Sequence, residues 1–253
     1  MWKHLKNKLN GRKLIDFLKN TLYPHRCPSC RKIVQNEAFC SNCWKKLVFI
    51  EKPTCSICGE PLDIKIDQSL LCGRCLNKQH YFSKAASVFI YNRTIARAIY
   101  RLKFNRKTFL SRFFAKFIVK NVKNFNSDYI VAVPIYKNRL MERGYNQSLL
   151  LAKEISKLTN VPYIKDVILK VKNTLPQSKL TTAKRKNNLK SAFRINEKYK
   201  DLLKNKNILI VDDVLTTGAT VDECAKILRR NGADRVFVGT IARTTLNRKY
   251  KTL

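Results

Sequence analysis

Residues 207–232 read NILIVDDVLTTGATVDECAKILRRNG, and this stretch decides the fold. Residues 208–211 form a short apolar, β-branched run of the kind that makes a buried strand. The run breaks at two adjacent carboxylates, Asp212 and Asp213. Leu215 and a turn of small residues follow: Thr216, Thr217, Gly218, Ala219 and Thr220. Val221, Cys224, Ala225 and Leu228 then recur at i, i+3, i+4 and i+7, which is one helix face, and Gly232 stands where a helix C-cap belongs. Strand, acidic edge, Thr/Gly loop and helix N-terminus together suit a phosphorylated sugar. The free N–H groups and positive dipole end of the helix favour a phosphate. Gly218 lets the backbone approach closely, and the threonine hydroxyls add donors. The two aspartates can accept from ribose hydroxyls or help hold a hydrated Mg²⁺. Cys224 lies on the apolar face and reads as core.

Working outward, the chain from about Tyr81 alternates strand and helix patterns. Residues 86–91 read as a strand, and 94–102 and 109–122 as helices, the second with Phe113, Phe117 and Ile118 as its core stripe. Residues 129–133 read as a strand, 148–158 as a helix with Leu149, Ala152, Ile155 and Ser156 inward, and 167–171 as a strand. A basic helix near 198–203 precedes the strand at 208–211, and 235–242 is the last strand. Strands alternating with helices predict an α/β fold: a parallel sheet with helices on both faces and ligands at the strands' C-terminal ends. That rim holds the loops after Val133 and Val211, with Lys103 and Arg106 as further candidates.

The loop after Val133 reads PIYKNRLMERGYNQ, residues 134–147. It supplies Lys137, Arg139 and Arg143 as phosphate partners and Gly144 as a backbone pivot. Asn146 and Gln147 either cap the next helix or contact a ligand; for Asn146 capping is the simpler reading. Residues 172–189 are polar and basic with no apolar period. Within them PQSKLTTAKRKNN, residues 176–188, is either a lid that orders over a bound anion or a basic loop without a role.

Nine cysteines are present, eight of them in four C-x-x-C pairs: Cys27/Cys30, Cys40/Cys43, Cys55/Cys58 and Cys72/Cys75. Without a secretory signal such pairs read as zinc ligands rather than disulfides, and they place the chain in the cytoplasm. Eight thiolates complete two closed tetrahedral sites, which makes the zinc structural. Sequential pairing gives two tandem ribbons; interleaved pairing, as in cross-braced folds, also fits the spacing. The organisation expected is a basic amphipathic segment over 1–23, a double zinc-ribbon module over 24–80, and an α/β domain over 81–253. The first segment suits either peripheral contact with a membrane surface or a short helix packed on the zinc module; no apolar run is long enough to span a membrane.

Charge narrows the partners. The chain carries 52 Lys+Arg against 17 Asp+Glu, a net +35, with only seven Glu. A field of this sign favours polyanions, either nucleic acid or an acidic membrane surface. Arg26, Arg31, Lys32, Trp44, Lys45, Lys46, Arg74 and Lys78 around the cysteine pairs suit a single-stranded nucleic acid or form a solvated basic face.

Residues 208–220 resemble the thirteen-residue phosphoribosyl-pyrophosphate (PRPP) motif of type I phosphoribosyltransferases. The wider chain, from about Phe17 to Arg243, resembles the ComF/ComFC family of competence-associated proteins. The features that carry this likeness are the N-terminal cysteine pairs, RGYNQ at 143–147, PQSxL at 176–180, Arg185 with NLKSAF at 188–193, and VDDVLTTGAT. The likeness implies that Asp212 and Asp213 hold the ribose hydroxyls and, indirectly, Mg²⁺, and that residues 215–220 cradle the 5′-phosphate. It makes residues 134–147 a pyrophosphate loop with Arg143 as its main charge partner, and residues 176–188, with Gln177, Ser178 and Arg185, a flexible loop. It also implies handling of single-stranded DNA in natural transformation or DNA use. Two other readings stand beside this one: an active Mg-dependent phosphoribosyltransferase with an unknown nitrogen acceptor, and a zinc-organised adaptor for a DNA-uptake helicase or channel.

Overall fold

A computed structural model describes residues 24–36, 38–63, 70–172 and 192–245. The basic segment 1–23 and the loop residues Gln177, Ser178 and Arg185 lie outside the described residues. The cysteine-rich part carries two single-turn helices, α1 (Ser41–Trp44) and α2 (Gly73–Leu76). Then come β1 (Lys84–Ile90), α3 (Arg93–Phe104) and α4 (Phe109–Val122). They are followed by β2 (Tyr129–Ala132), α5 (Lys137–Arg143), α6 (Gln147–Thr159) and β3 (Tyr163–Ile164). The chain continues through β4 (Ile168–Lys170), β5 (Phe193–Ile195), β6 (Ile208–Leu215), α7 (Ala219–Arg230) and β7 (Val236–Arg243).

The central sheet is parallel throughout, in the order β1-β7-β6-β2-β3. Alternation along β6 divides the core between its two faces, as a strand buried on both sides requires. Leu209 and Val211 pack with α4 and α6, while Ile208 and Ile210 pack with α7 and the β4–β5 hairpin. The apolar stripe of α7 is the one its sequence period indicates: Val221, Cys224, Ala225 and Leu228 are all buried.

Five expectations change. Residues 167–171 do not join the parallel sheet; β4 pairs antiparallel with β5 as a separate hairpin. The loop after Val133 contains a helix, α5, and residues 198–203 form two short 3₁₀ turns instead of one helix. In α4 the buried face is Leu110, Phe114, Ala115, Ile118 and Val122. Phe113 and Phe117 point sideways instead, where Phe39, Trp44 and Phe49 meet them at 5.7, 6.1 and 5.9 Å between rings. Helical period alone cannot separate a sheet-facing aromatic from one that meets a second module. In α6 the inward set is Leu151, Ala152 and Ile155 rather than Leu149.

The cysteine-rich part wraps the β1 edge of the sheet. Ile50 N–H donates to Val88 and Ile90 N–H to Val48, and Phe49 bridges Phe89 antiparallel. This covers backbone groups an edge strand would otherwise expose. The first cysteine cluster packs with the α3/α4/α6 side of the core and the second with the α7 side, so the two straddle the sheet. A buried ion pair fastens the second: Glu60 pairs with Arg243 at the end of β7 and with Arg74, and it accepts from Thr245. Arg243 also donates to the Cys58 carbonyl.

Candidate functional site

The eight paired cysteines fall into two clusters, Cys27/Cys30/Cys40/Cys43 and Cys55/Cys58/Cys72/Cys75, each with its sulfurs within 4.8 Å of one another. Pairing is therefore sequential. The two knuckles repeat one backbone pattern. Cys27 N–H donates to Lys32 as Cys55 N–H donates to Glu60, and Arg31 N–H donates to Cys27 as Gly59 N–H donates to Cys55. The fifth residue of each knuckle takes positive φ, 71° at Arg31 and 70° at Gly59. Glycine is required at the second, because a Cβ there would lie 2.6 Å from the Ala85 carbonyl oxygen.

The thiols are arranged for a cation. Burial works against the Cys27 and Cys55 thiolates, but the backbone N–H groups around them outweigh it and bring both down to about 7. Burial, followed by the neighbouring cysteine sulfurs, pushes Cys43 up to about 12 and Cys75 up as well. One thiolate forms readily in each cluster while the ionisation of Cys43 or Cys75 is opposed, a conflict that a divalent ion removes. The donor sets fit two Zn²⁺ ions.

The acidic edge lies at the C-terminal end of β6, and the chain after β2 closes over it. Buried Asp213 accepts from Lys103 Nζ at 2.8 Å and from Gln147 Nε2 at 2.9 Å. Asp212 Oδ1 accepts from Ser148 Oγ and from the Asp213 N–H, both at 2.9 Å. Burial, then the adjacent Asp213 charge, pushes the Asp212 carboxyl up to about 7. Lys103, only a candidate for the rim on sequence, is thus part of the site.

Every residue of RGYNQ has a definable task. Arg143 donates to Gln147 Oε1 at 3.0 Å and stacks 4.6 Å from the Phe104 ring. Its Nε is buried with no hydrogen-bond partner among the described residues. Gly144 ends α5 in the left-handed region, and Tyr145 Oη donates to the Leu102 carbonyl. Asn146 caps α6 through Ser148 N–H and donates to the Val133 carbonyl at 3.0 Å. Gln147 relays the Arg143 contact to Asp213. Lys137 is exposed on α5 and Arg139 half-buried. Lys170 went unnoticed in sequence because it ends a short strand; burial, then the Arg139 charge, lowers it to about 8, with Cys224 and Asp212 opposing.

Beyond β6, residues 216–218 turn into α7. Gly218 has φ 78°, and a Cβ there would meet only ordinary contacts, Phe82 at 3.8 Å and Leu215 at 3.9 Å. The backbone angle, not lack of space, calls for glycine. Ala219 N–H reaches Thr217 Oγ1 at 3.4 Å. In the first turn of α7 buried Asp222 takes Lys78 Nζ at 3.0 Å, Tyr81 N–H at 2.8 Å and His80 Nδ1 at 3.3 Å. Burial opposes that carboxylate, yet His80, Lys78 and the Tyr81 N–H outweigh it and hold it below the usual range. The segment leaving the second cysteine cluster therefore neutralises the acid in the first turn of α7. Arg74 and Lys78, read from sequence as either nucleic-acid cations or part of a solvated basic face, are engaged in these internal pairs with Glu60 and Asp222.

An acidic strand end, a glycine-led helix start and a flanking basic helix on a parallel sheet define a phosphoribosyltransferase-like domain, here joined to a double zinc ribbon. The family model of the phosphoribosyl transferase domain matches residues 145–251, and that of the double zinc ribbon domain matches residues 18–76. Competence protein F of Haemophilus influenzae is 31% identical over 86% of this chain and 96% of its own length. The DNA utilization protein YhgH of Salmonella typhi is 34% identical over 87% and 98%. Competence protein ComFC of Streptococcus pneumoniae is 25% identical over 82% and 89%. The chain belongs to the family of competence protein F and the DNA utilization protein YhgH. No helix among the described residues is long and apolar enough to cross a membrane.

Proposed function

We propose that this protein handles single-stranded DNA in natural transformation or DNA utilisation, in the cytoplasm, and that its phosphoribosyltransferase-like domain binds a ribose 5-phosphate or PRPP-like ligand with Mg²⁺. The observation that carries the ligand reading is the Asp212–Asp213 pair, held by Ser148, Gln147 and Lys103 beside the Gly218 turn. In this reading the pair takes the ribose hydroxyls and orients the hydrated metal, residues 215–220 receive the 5′-phosphate, and Arg143 with Lys137 and Arg139 meets the pyrophosphate. The unpartnered Arg143 Nε supports an anion there. The nucleic-acid part draws on net +35 and on the relatives' names. It is tested by titrating single-stranded DNA at rising salt: phosphate contacts make log affinity fall linearly with log salt concentration, and no binding at low salt would remove this part.

The titration of Asp212 gives the ligand part its own test. A carboxyl at about 7 is mostly protonated at pH 6 and mostly ionised at pH 8. Affinity for Mg²⁺ and PRPP, measured calorimetrically, should therefore rise about ten-fold between those pH values. In Asp212→Asn the profile should flatten to the ligand's own titration. Stability moves the other way: the folded chain holds this proton more tightly than the unfolded one between the ordinary 3.8 and about 7, so the carboxyl's contribution falls as pH rises through that window.

The same acid pair favours a second reading, an active phosphoribosyltransferase. A nitrogen nucleophile would displace Mg-bound pyrophosphate from the anomeric carbon, with catalysis by positioning and by stabilising the departing charge. Pyrophosphate release with a panel of nitrogenous metabolites tests it; a panel that binds without release leaves only the binding role.

A further inference from the structure

We infer that helix α3 and the first zinc knuckle form the track for the single strand, with phosphates seated between them and bases stacked on Tyr100 and Phe104. The inference rests on the nucleic-acid reading above and assigns it a surface. Tyr100 and Phe104, one turn apart on α3, are 58% and 44% exposed, and their rings lie 4.8 Å apart, tilted at 39°. Two large aromatic rings left in water have a cost unless something covers them, and a ladder of π-faces accepts any base. The ladder continues inward, because Arg143 lies over Phe104 at 4.6 Å and then bonds Gln147, the partner of Asp213. A base on this ladder would thus sit one contact from the residues that hold the carboxylate pair.

The neighbouring row of the same helix supplies the charge. Arg101 and Asn105, about 100° round from Tyr100 and Phe104, face a cavity of about 430 Å³ between α3 and the knuckle. Arg26, Arg31, Arg101 and Lys107 line it, with His25 and Phe109, and no carboxylate among the described residues does. Arg101 is fixed there by a 3.0 Å bond to the Cys27 carbonyl, so the zinc knuckle itself positions a cation toward the cavity. Four like charges around one void repel each other, and a run of phosphates relieves that. Cations in one row and exposed rings in the next suit a single strand, whose bases are free, better than a duplex, whose bases are paired. This places the contact on α3, not on Arg74 and Lys78, which are internally paired.

The test is the salt-titrated binding of an oligothymidylate of about twenty nucleotides to the full chain. Tyr100→Ala with Phe104→Ala should weaken binding roughly ten- to a hundred-fold with the salt slope unchanged. Arg26→Gln with Lys107→Gln should instead flatten the slope of log affinity against log salt by about 1.4, two contacts at about 0.7 each. Zinc content and unfolding midpoint, matched to the unaltered protein, show that each pair still folds. Binding that survives both pairs unchanged overturns this surface and leaves the functional reading standing. An equal loss for duplex DNA in the aromatic pair, or loss of anionic phosphatidylserine vesicle binding with oligonucleotide binding intact, overturns it as well. No oligonucleotide binding by the unaltered protein removes both.

Discussion

Replacing Cys27 and Cys30 by serine should cost the protein one of its two zinc ions and the fold of its first ribbon. Structural zinc binding in small modules contributes about 10–16 kcal/mol of apparent free energy near neutral pH, and that energy is folding energy. The first ribbon has little core of its own. Phe39 and Leu47 are its buried apolar anchors besides the cysteines, and they are buried against the α/β domain. Without the ion, Phe113 and Phe117 lose Phe39, Trp44 and Phe49, and the β1 edge loses its cover. Arg101 also loses the Cys27 carbonyl that fixes it. Metal analysis should fall from two zinc to one, matching the two clusters. Proteolysis should open near residues 24–50, and single-strand affinity should drop while Mg–PRPP affinity is largely kept. Unchanged zinc content and unchanged proteolysis would contradict the assignment.

Glu60→Ala should destabilise the chain by about 3–5 kcal/mol, because it strands a buried guanidinium. Arg243 is 1% exposed, and Glu60 is the carboxylate that pairs with it. The same carboxylate holds Arg74 and Thr245, so one deletion loosens the second ribbon from the end of β7. A denaturant titration measures the loss. Glu60→Leu combined with Arg243→Met should recover most of it, since apolar groups of similar volume often replace a buried pair without penalty. A loss under 1 kcal/mol would mean that water reaches Arg243.

The strand–turn–helix of residues 207–232 was legible because its signals agree: β-branched run, paired acids, glycine turn, then a helical apolar period. The cysteine spacing likewise announced two closed metal sites, though only the three-dimensional arrangement separated sequential from interleaved pairing. Contacts between distant segments were not legible. Nothing local in Glu60, Asp222 or Lys103 tells whether a charge faces water or a partner more than a hundred residues away, as Lys78 and Asp222 do. Arg74 and Lys78, left by the sequence between a nucleic-acid face and a solvated basic one, are paired internally. The aromatic period of α4 misled in the same way, because Phe113 and Phe117 belong to an interface between modules. RGYNQ was recognisable as a unit, but its tasks are mostly internal: it caps α6, anchors on α3 and steadies Asp213. In the proposed function its direct contact with the ligand falls to Arg143.

The measurement that bears most directly on the account is calorimetric titration of PRPP with Mg²⁺ into the unaltered protein and into Asp212→Ala/Asp213→Ala, with single-strand affinity recorded on the same samples. The unaltered chain should bind PRPP measurably and the double variant should not, with single-strand affinity largely retained because α3 and the knuckle are untouched. Absence of PRPP binding by the unaltered protein, or equal binding by the double variant, would contradict it.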